Sequence, residues 1–532
     1  MPLISDSFRT AALGLICAAT LLQGCGGDDS SSPSTSPSPA DYLRIGVVSE
    51  DASAGKTLVI FDPDAPATPR LSLRLSATDS FETSMRVRYD LTSQTVTLLG
   101  ESAVFVVQGK QLHKVSLKKT DATTARRVSS IDSACSVGTD YLTPDEAGWL
   151  AVTDAGADAD CSTVADNRIA YVRPDASALT APVRLPAGVS LVGVLPDASW
   201  LGIQHLLALD SSGTPKLTLY RPDLTAAGDV TGGQVGNVLV LARPFAPGQV
   251  TVAADNELRT LTWSSSGATL GAPGAYHYAE APTYYNGQDA NALYFADGRK
   301  VVRVPHGGTG QVIATLSAEQ GETAELDGVY GDTLLLSQAN LQTGLRTLIA
   351  LPKTGGAPVT LHPAASAYFF GVSGNTAYIN TYTFISAGFD YVSQASLKRV
   401  NFDGSQASTV AAQAHTYAKP IYSRTQPLTA GSTVDGFTWC ERASGESTCA
   451  NGTMKMLNAI TGATVTLGVF AHADAYTTWS PFDFNNFNIQ TLDTPLVFIS
   501  RGAGPDIRVG ENEVFIARPN VANSLVKVNV AP

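Results

Sequence analysis

The chain has 532 residues, a formal net charge of −12, 44% hydrophobic residues and only 15% charged ones. That composition supports a large buried core and excludes bulk disorder. The acidic balance excludes non-specific nucleic-acid binding, which needs basic surface to displace counterions. No run after residue 25 approaches the roughly 20 apolar residues that span a bilayer, so membrane contact is expected from an anchor alone.

Residues 1–24 read as a signal peptide. Arg9 and the amino terminus supply a weak positive start, offset by Asp6, and Ala11 to Leu22 (AALGLICAATLL) form the apolar stretch. The segment closes on Leu22-Gln23-Gly24-Cys25, which resembles the bacterial lipobox. The resemblance implies a diacylglycerol thioether on Cys25, cleavage before it, and an acyl group such as palmitate on the new amine. Two or more chains anchor stably, at about 0.8 kcal/mol per buried methylene. Gly26 rather than Asp follows the cysteine, which by resemblance to enterobacterial sorting implies the outer membrane, on either the periplasmic or the surface side. The expected localisation is therefore the cell envelope, lipid-anchored.

Residues 25–41 are the lipidated cysteine and a tether. The stretch DDSSSPSTSPSPA (28–40) is Ser/Pro-rich, cannot pack a core, and in extended form reaches roughly 40 Å. Residues 42–532 are expected to form the body. With Cys17 lost in the signal and Cys25 lipidated, Cys135, Cys161, Cys440 and Cys449 remain. An even number in an exported chain suggests two structural disulfides, and neighbour pairing (Cys135–Cys161, Cys440–Cys449) closes the shortest loops.

From Leu43 onward short alternating apolar runs argue for strands rather than helices. One unit recurs: an apolar strand, a turn often opened by proline, and a second apolar strand. It stands at 57–73, 112–128, 168–185, 216–230, 258–270, 300–316, 347–361, 396–410, 454–467 and 513–528. The turn-opening positions are Pro63, Lys118, Pro174, Pro222, Ser264, Pro305, Pro352, Phe402, Ala459 and Pro519, spaced 41 to 60 residues apart. Proline suits the place because its fixed φ fits the first corner of a turn and its missing N–H is not needed there. A period of this length, with several strands in each, predicts an all-β propeller. The hairpins at 300–316, 347–361 and 396–410 resemble the outer strands of blades in TolB-type bacterial propellers, a resemblance that bears on fold and not on function. About eight blades are expected, within a range of seven to ten.

Contiguous catalytic motifs are absent from the sequence. Gly371-Val372-Ser373-Gly374 lacks the spacing of a nucleophile elbow, and the seven histidines (His113, His205, His277, His306, His362, His415, His472) are scattered singly. No cofactor and no metal site is expected. The nearest approach to one is Asp154, Asp158 and Asp160, which offer oxygen ligands for Ca²⁺ but lack the EF-hand spacing and its final glutamate; the reading is a solvated acidic loop pinned by the Cys135–Cys161 bridge. Aromatic clusters (Tyr276, Tyr278, Tyr284, Tyr285; Tyr368, Phe369, Phe370; Tyr382, Phe384, Phe389, Tyr391; Trp479, Phe482, Phe484, Phe487) with Asn286, Asn485 and Asn486 nearby suit packing between blades or a platform for sugar or peptide. The functional expectation is an envelope lipoprotein whose propeller is a non-catalytic binding or assembly module for a protein or glycan partner. The alternative is a carbohydrate-active enzyme, a polysaccharide lyase or glycoside hydrolase, with its site dispersed over the propeller mouth.

Overall fold

The computed structural model describes residues 42–470 apart from short connecting segments, and beyond them the strands at 477–478, 496–500, 513–517 and 526–529. Residues 1–41, with Cys25 and the tether, lie outside the described residues, as does Cys449.

The chain is all-β. Strands follow one another as meanders, each hydrogen-bonded to the next in sequence; these pairs are antiparallel except Thr477–Thr478 with Leu496–Ser500, which is parallel. Ten stand in succession among the described residues. The first holds Arg44–Asp51, Gly55–Phe61 and Leu71–Leu75, and the second Ser80–Asp90, Thr95–Gln108, Gln111–Ser116 and Arg126–Arg127. The third holds Ala134–Leu142, Gly148–Asp154 and Arg168–Val172, closed by a bridge from Tyr171 to Val183. Val189–Pro196, Ile203–Asp210, Lys216–Tyr220 and Ala226–Gln234 make the fourth; Val238–Val240, Gln249–Ala254, Glu257–Ser264 and Gly267–Leu270 make the fifth. The sixth is Asn286–Gln288, Ala292–Asp297, Lys300–Pro305 and Gln311–Thr315. The seventh runs through Thr323–Tyr330, Thr333–Ala339 and Arg346–Pro352 into Val359–Ser373, a long strand that also opens the eighth. Thr376–Ala387 and Asp390–Asn401 continue the eighth, and Ser408–Tyr422 is likewise shared with the ninth, which ends on Val434–Glu441, Gly452–Asn458 and Thr464–Phe470. Thr477–Thr478, Leu496–Ser500, Glu513–Ala517 and Val526–Asn529 are the tenth.

Every hairpin read from the sequence is the closing pair of strands of one meander. Ten meanders therefore stand where about eight blades were favoured, at the top of the expected range.

The meanders are stacked because their strands are apolar on both faces. In Ala103-Val104-Phe105-Val106-Val107, the side chains of Val104 and Val106 join Leu58 and Ile60 of the first meander, while Ala103, Phe105 and Val107 join Leu150 and Val152 of the third. The seventh meander repeats the device: Leu334, Leu336, Ile349 and Leu351 pack on the sixth, and Leu335, Leu348 and Ala350 on the eighth. A period of two delivers alternate residues to opposite faces, so a continuous apolar run is what a sheet buried on both sides requires. The first and last meanders meet, Arg44–Asp51 lying against Leu496–Ser500. The succession thus closes as a propeller does, which removes exposed sheet faces.

Antiparallel order also sorts the turns. In the four-stranded antiparallel meanders, turns between first and second strands share one end with turns between third and fourth, and turns between second and third strands lie at the opposite end with the connections between meanders. The first meander has three strands, and its second-to-third turn joins the former end, where Lys119 reaches Asp62 and Asp64. At the former end, neighbouring meanders are clasped. Trp149 Nε1 of the third donates to Pro222 O of the fourth at 2.5 Å, and His205 Nε2 of the fourth donates to Ser264 O of the fifth at 2.9 Å. Phe245 of the fifth stacks on His306 of the sixth with centroids 4.3 Å apart. Asp289 of the sixth pairs with Lys353 Nζ of the seventh at 2.5 Å. Tyr330 of the seventh meets Phe402 of the eighth at 6.3 Å. In each clasp the receiving residue is a turn-opening position read from the sequence or the one after it. A short strand, Thr425–Pro427, pairs with Thr95–Thr97 at this same end and ties the ninth meander to the second.

Candidate functional site

The clasp end shows exposed large apolar side chains singly, as at Leu179 and Ile460, whereas the opposite end gathers three of them in one place. Asn340-Leu341-Gln342-Thr343-Gly344-Leu345 joins the second and third strands of the seventh meander. Asn340 Oδ1 accepts from the amides of Gln342 (3.1 Å) and Thr343 (2.8 Å), as asparagine does in tight turns. Asn340 N donates to Leu345 O (2.9 Å) and Gly344 N to Asn340 O (2.8 Å). Gly344 sits at φ +70, a left-handed conformation glycine adopts without steric cost. Leu341 N donates to Glu322 Oε2 at 2.7 Å. The loop is therefore fixed by its own hydrogen bonds, yet Leu341 is 69% exposed and Leu345 37%.

Beside it lies a charged and aromatic group. Arg346 Nη1 donates to Glu325 Oε2 at 2.5 Å, and its guanidinium carbon stands 5.1 Å from the centre of the Tyr368 ring. Tyr368 meets Tyr382 edge to face at 5.8 Å; Asn380 Nδ2 donates to the Tyr382 hydroxyl at 2.9 Å. Ser337 Oγ donates to Asp327 Oδ2 at 2.5 Å. Burial works against the charge on Arg346, but Glu325 by field and hydrogen bond, with Asp327 adding to the field, holds the guanidinium more firmly protonated than usual. Tyr368 is 43% exposed. Of seven large hydrophobic side chains exposed among the described residues, Leu341, Leu345 and Tyr368 belong to this one place.

The preceding connection is held as well. Gln338, fully buried, donates through Nε2 to Ser317 O (2.7 Å) and Gly321 O (2.9 Å). Ser317 Oγ accepts from Glu319 N at 3.2 Å and caps the 3₁₀ turn Ala318–Gln320. This fixes Glu319 and Glu322 at the rim.

Residues singled out from the sequence fall elsewhere or into packing. Cys135 and Cys161 form a disulfide with Cα atoms 5.4 Å apart; closing 26 residues of chain stabilises by roughly 3 kcal/mol on loop entropy. The pairing Cys440–Cys449 falls outside the described residues through Cys449. Asp154 is buried, paired with Arg184, and accepts from Ser133 Oγ; Asp158 and Asp160 lie outside the described residues. Asp154 thus has an organic counter-ion in place, and no group of three or more metal-ligating side chains stands together among the described residues. Tyr278 is core, Phe370 stacks on Phe437 (5.4 Å), and Tyr276 packs on Phe295 (5.5 Å) while donating to Asp297 Oδ2 (3.0 Å), which with burial pushes its hydroxyl up to about 12. Tyr284, Tyr285, Phe389, Trp479, Phe482, Phe484, Asn485, Asn486, Phe487 and His472 lie outside the described residues.

Two of the described histidines are held by backbone carbonyls. His306 Nε2 donates to Asp289 O at 2.8 Å, and burial lowers its pKa. His362 is lowered by burial and by Lys398; its Nδ1 donates to Pro363 O (2.8 Å), so Nε2 presents a lone pair to Lys398 Nζ at 3.1 Å.

Sequence reasoning named Tyr368 but missed Leu341, Leu345, Glu325 and Arg346. The available signal was two leucines inside an Asn/Thr/Gly turn, where polar residues are the rule.

No protein-family profile matches the chain, and no curated protein does. Solved structures similar to it include a eukaryotic initiation factor (10% identity, 80% of this chain and 96% of that one, TM-score 0.40). Oligogalacturonate lyase from Vibrio parahaemolyticus is another (10% identity, 63% and 89%, TM-score 0.28). TolB from Acinetobacter baumannii is a third (12% identity, 68% and 77%, TM-score 0.22). At such identities and scores none of them bears on what this chain binds.

Proposed function

We propose that the chain is an envelope lipoprotein, acylated at Cys25 and carried on the 25–41 tether, whose propeller is a non-catalytic binding module for a protein or glycan partner. The recognition surface is the opposite end of the seventh and eighth meanders. The observation that carries this reading is the rigid display of Leu341, Leu345 and Tyr368 around the Glu325–Arg346 pair. Apolar side chains held out by an internally hydrogen-bonded loop lose little entropy on binding. Glu325 and Asp327 are each engaged, by Arg346 and Ser337, which suits positioning better than proton transfer. The entry point of the described chain agrees: Tyr42 bridges Lys118, and Leu43 N donates to Leu117 O at 2.7 Å, at the clasp end. The described chain therefore begins at the end away from that surface.

Two measurements test the reading. Replacing Cys25 with Ser is expected to move the protein from the membrane to the soluble fraction; unchanged membrane retention overturns the anchor. The released protein is then used to capture partners from envelope extract, alongside Leu341→Asp and Ile460→Asp. Ile460, 66% exposed in a third-to-fourth-strand turn, is an apolar control at the clasp end. Capture lost with Leu341→Asp and kept with Ile460→Asp supports the site, and capture indifferent to Leu341→Asp overturns it.

A further inference from the structure

We infer that the partner at this surface is a polypeptide segment that sets a cationic side chain beside an apolar anchor. The inference rests on the binding-module reading and deepens it.

Two independent features point to such a partner. The first is the kind of apolar surface. Sugar rings are met by flat aromatic faces, whereas here two leucines lead, and one face of Tyr368 already carries the Arg346 guanidinium. Exposed apolar side chains gathered beside a tyrosine and an arginine suit a protein interface, where those two residue types are enriched. The second is charge. Arg346 is matched by Glu325, so the sign of the rim is set by Glu319 and Glu322, both exposed, with Asp327 contributing to the local field. On the sixth-meander side, Arg299 is bent back onto Leu316 O at 3.1 Å, and Lys300 is exposed beyond it. The whole chain carries −12, which favours encounter with a basic partner at low ionic strength.

Glu322 joins the two features. Its carboxylate accepts the Leu341 amide, so the group that orients the exposed leucine also places negative charge beside it. A cation brought within about 4 Å of that carboxylate would seat its apolar neighbour on Leu341 and Leu345.

The test titrates the full chain released by Cys25→Ser with three probes: a synthetic peptide alternating leucine with lysine, its leucine–glutamate counterpart, and a mixture of neutral oligosaccharides. The leucine–lysine peptide is expected to bind, and the glutamate version to bind at least tenfold more weakly. Leu341→Ala with Leu345→Ala is expected to weaken the lysine peptide about tenfold. So is Glu319→Gln with Glu322→Gln, since a carboxamide in place of the Glu322 carboxylate still accepts the Leu341 N–H but carries no charge. Unchanged melting temperatures of both double variants show that the fold is intact. Binding that follows the charge but ignores the leucine pair is the general attraction of an acidic protein and overturns the inference. Oligosaccharide binding lost with Tyr368→Ala, without peptide binding, overturns the inference and leaves the binding-module reading standing. No probe bound, together with capture from envelope extract indifferent to Leu341→Asp, overturns both.

Discussion

The two ends of the propeller use the same kinds of residue for opposite purposes. At the clasp end, aromatic rings, imidazoles and an ion pair are turned onto the next meander: Trp149 reaches Pro222, His205 reaches Ser264, Asp289 reaches Lys353. At the opposite end, Arg346, Glu325 and Tyr368 also join two meanders, but they leave Tyr368 and two neighbouring leucines in solvent. The difference shows that two polar clusters between sheets can be alike in chemistry and unlike in what they leave exposed. What separates the two is whether the cluster satisfies the fold and stops, or satisfies the fold and still displays uncovered apolar surface.

Substitutions should break this contrast in order of burial. Trp149→Ala removes a large ring and an indole donor, and is expected to cost about 3–4 kcal/mol, read as a lower urea midpoint. Trp149→Phe keeps most of the packing and loses the donor, so it should recover the larger part. Next comes Lys353→Met, which strands the Asp289 carboxylate. Burial opposes ionisation of Asp289, but Lys353 and the amides of Asn291 and Ala292 outweigh it and hold the carboxyl below its usual range. Without the lysine a loss on the order of 3 kcal/mol is expected. The folded-state pKa is depressed, so this pair stabilises above the unfolded value of about 4 and fails as pH falls through the folded one. Lys353→Met should therefore flatten the acid limb of the stability curve. At the other end, Arg346→Ala should cost less, about 2 kcal/mol, and should also weaken partner binding, whereas the clasp variants should leave binding intact while folded.

Two titrations sharpen the comparison further. His306 is lowered by burial; its contribution is complete above the unfolded pKa of about 6.5 and is lost as pH falls through the folded value. His306→Phe, which keeps the stack on Phe245, should remove that slope from thermal melts. Glu82, on the first strand of the second meander, is pushed up to about 7 by burial, opposed only by the Thr83 amide. The sign reverses: its contribution is complete below the unfolded pKa of about 4.3 and is lost as pH rises through the folded value. Glu82→Gln should abolish the decline; a decline that persists in the variant assigns it to another group. The smallest effect is the most diagnostic. Leu341→Ala touches an exposed side chain and should change stability by no more than about 0.5 kcal/mol while reducing partner binding.

Much of the architecture was legible because the information is local. A hairpin is written in a short run of consecutive residues, and each of the ten read from the sequence closes its own meander. The blade count stayed a range of seven to ten because the first strands of each meander, such as Ser80–Asp90, carry no turn signature that assigns each hairpin to its own sheet. The Cys135–Cys161 bridge was legible from spacing. Glu325 and Arg346 were not, because nothing in their residue types distinguishes them from strand positions elsewhere, and the two leucines carried only the signal of apolar residues in a polar turn.

By itself the sequence determined that the chain would be all-β, that its strands would be buried on both faces, and where its turns would fall. Runs such as Ala103 to Val107 and Leu334 to Leu336 leave no face free for water. Only the tertiary structure decided which turns meet, since Trp149 and Pro222 are 73 residues apart and Asp289 and Lys353 are 64 apart. It also decided that Leu341, Leu345 and Tyr368 are exposed together. Period and turn chemistry act between neighbours in the chain, whereas exposure is settled by what the stacked sheets leave unoccupied once every face has been used.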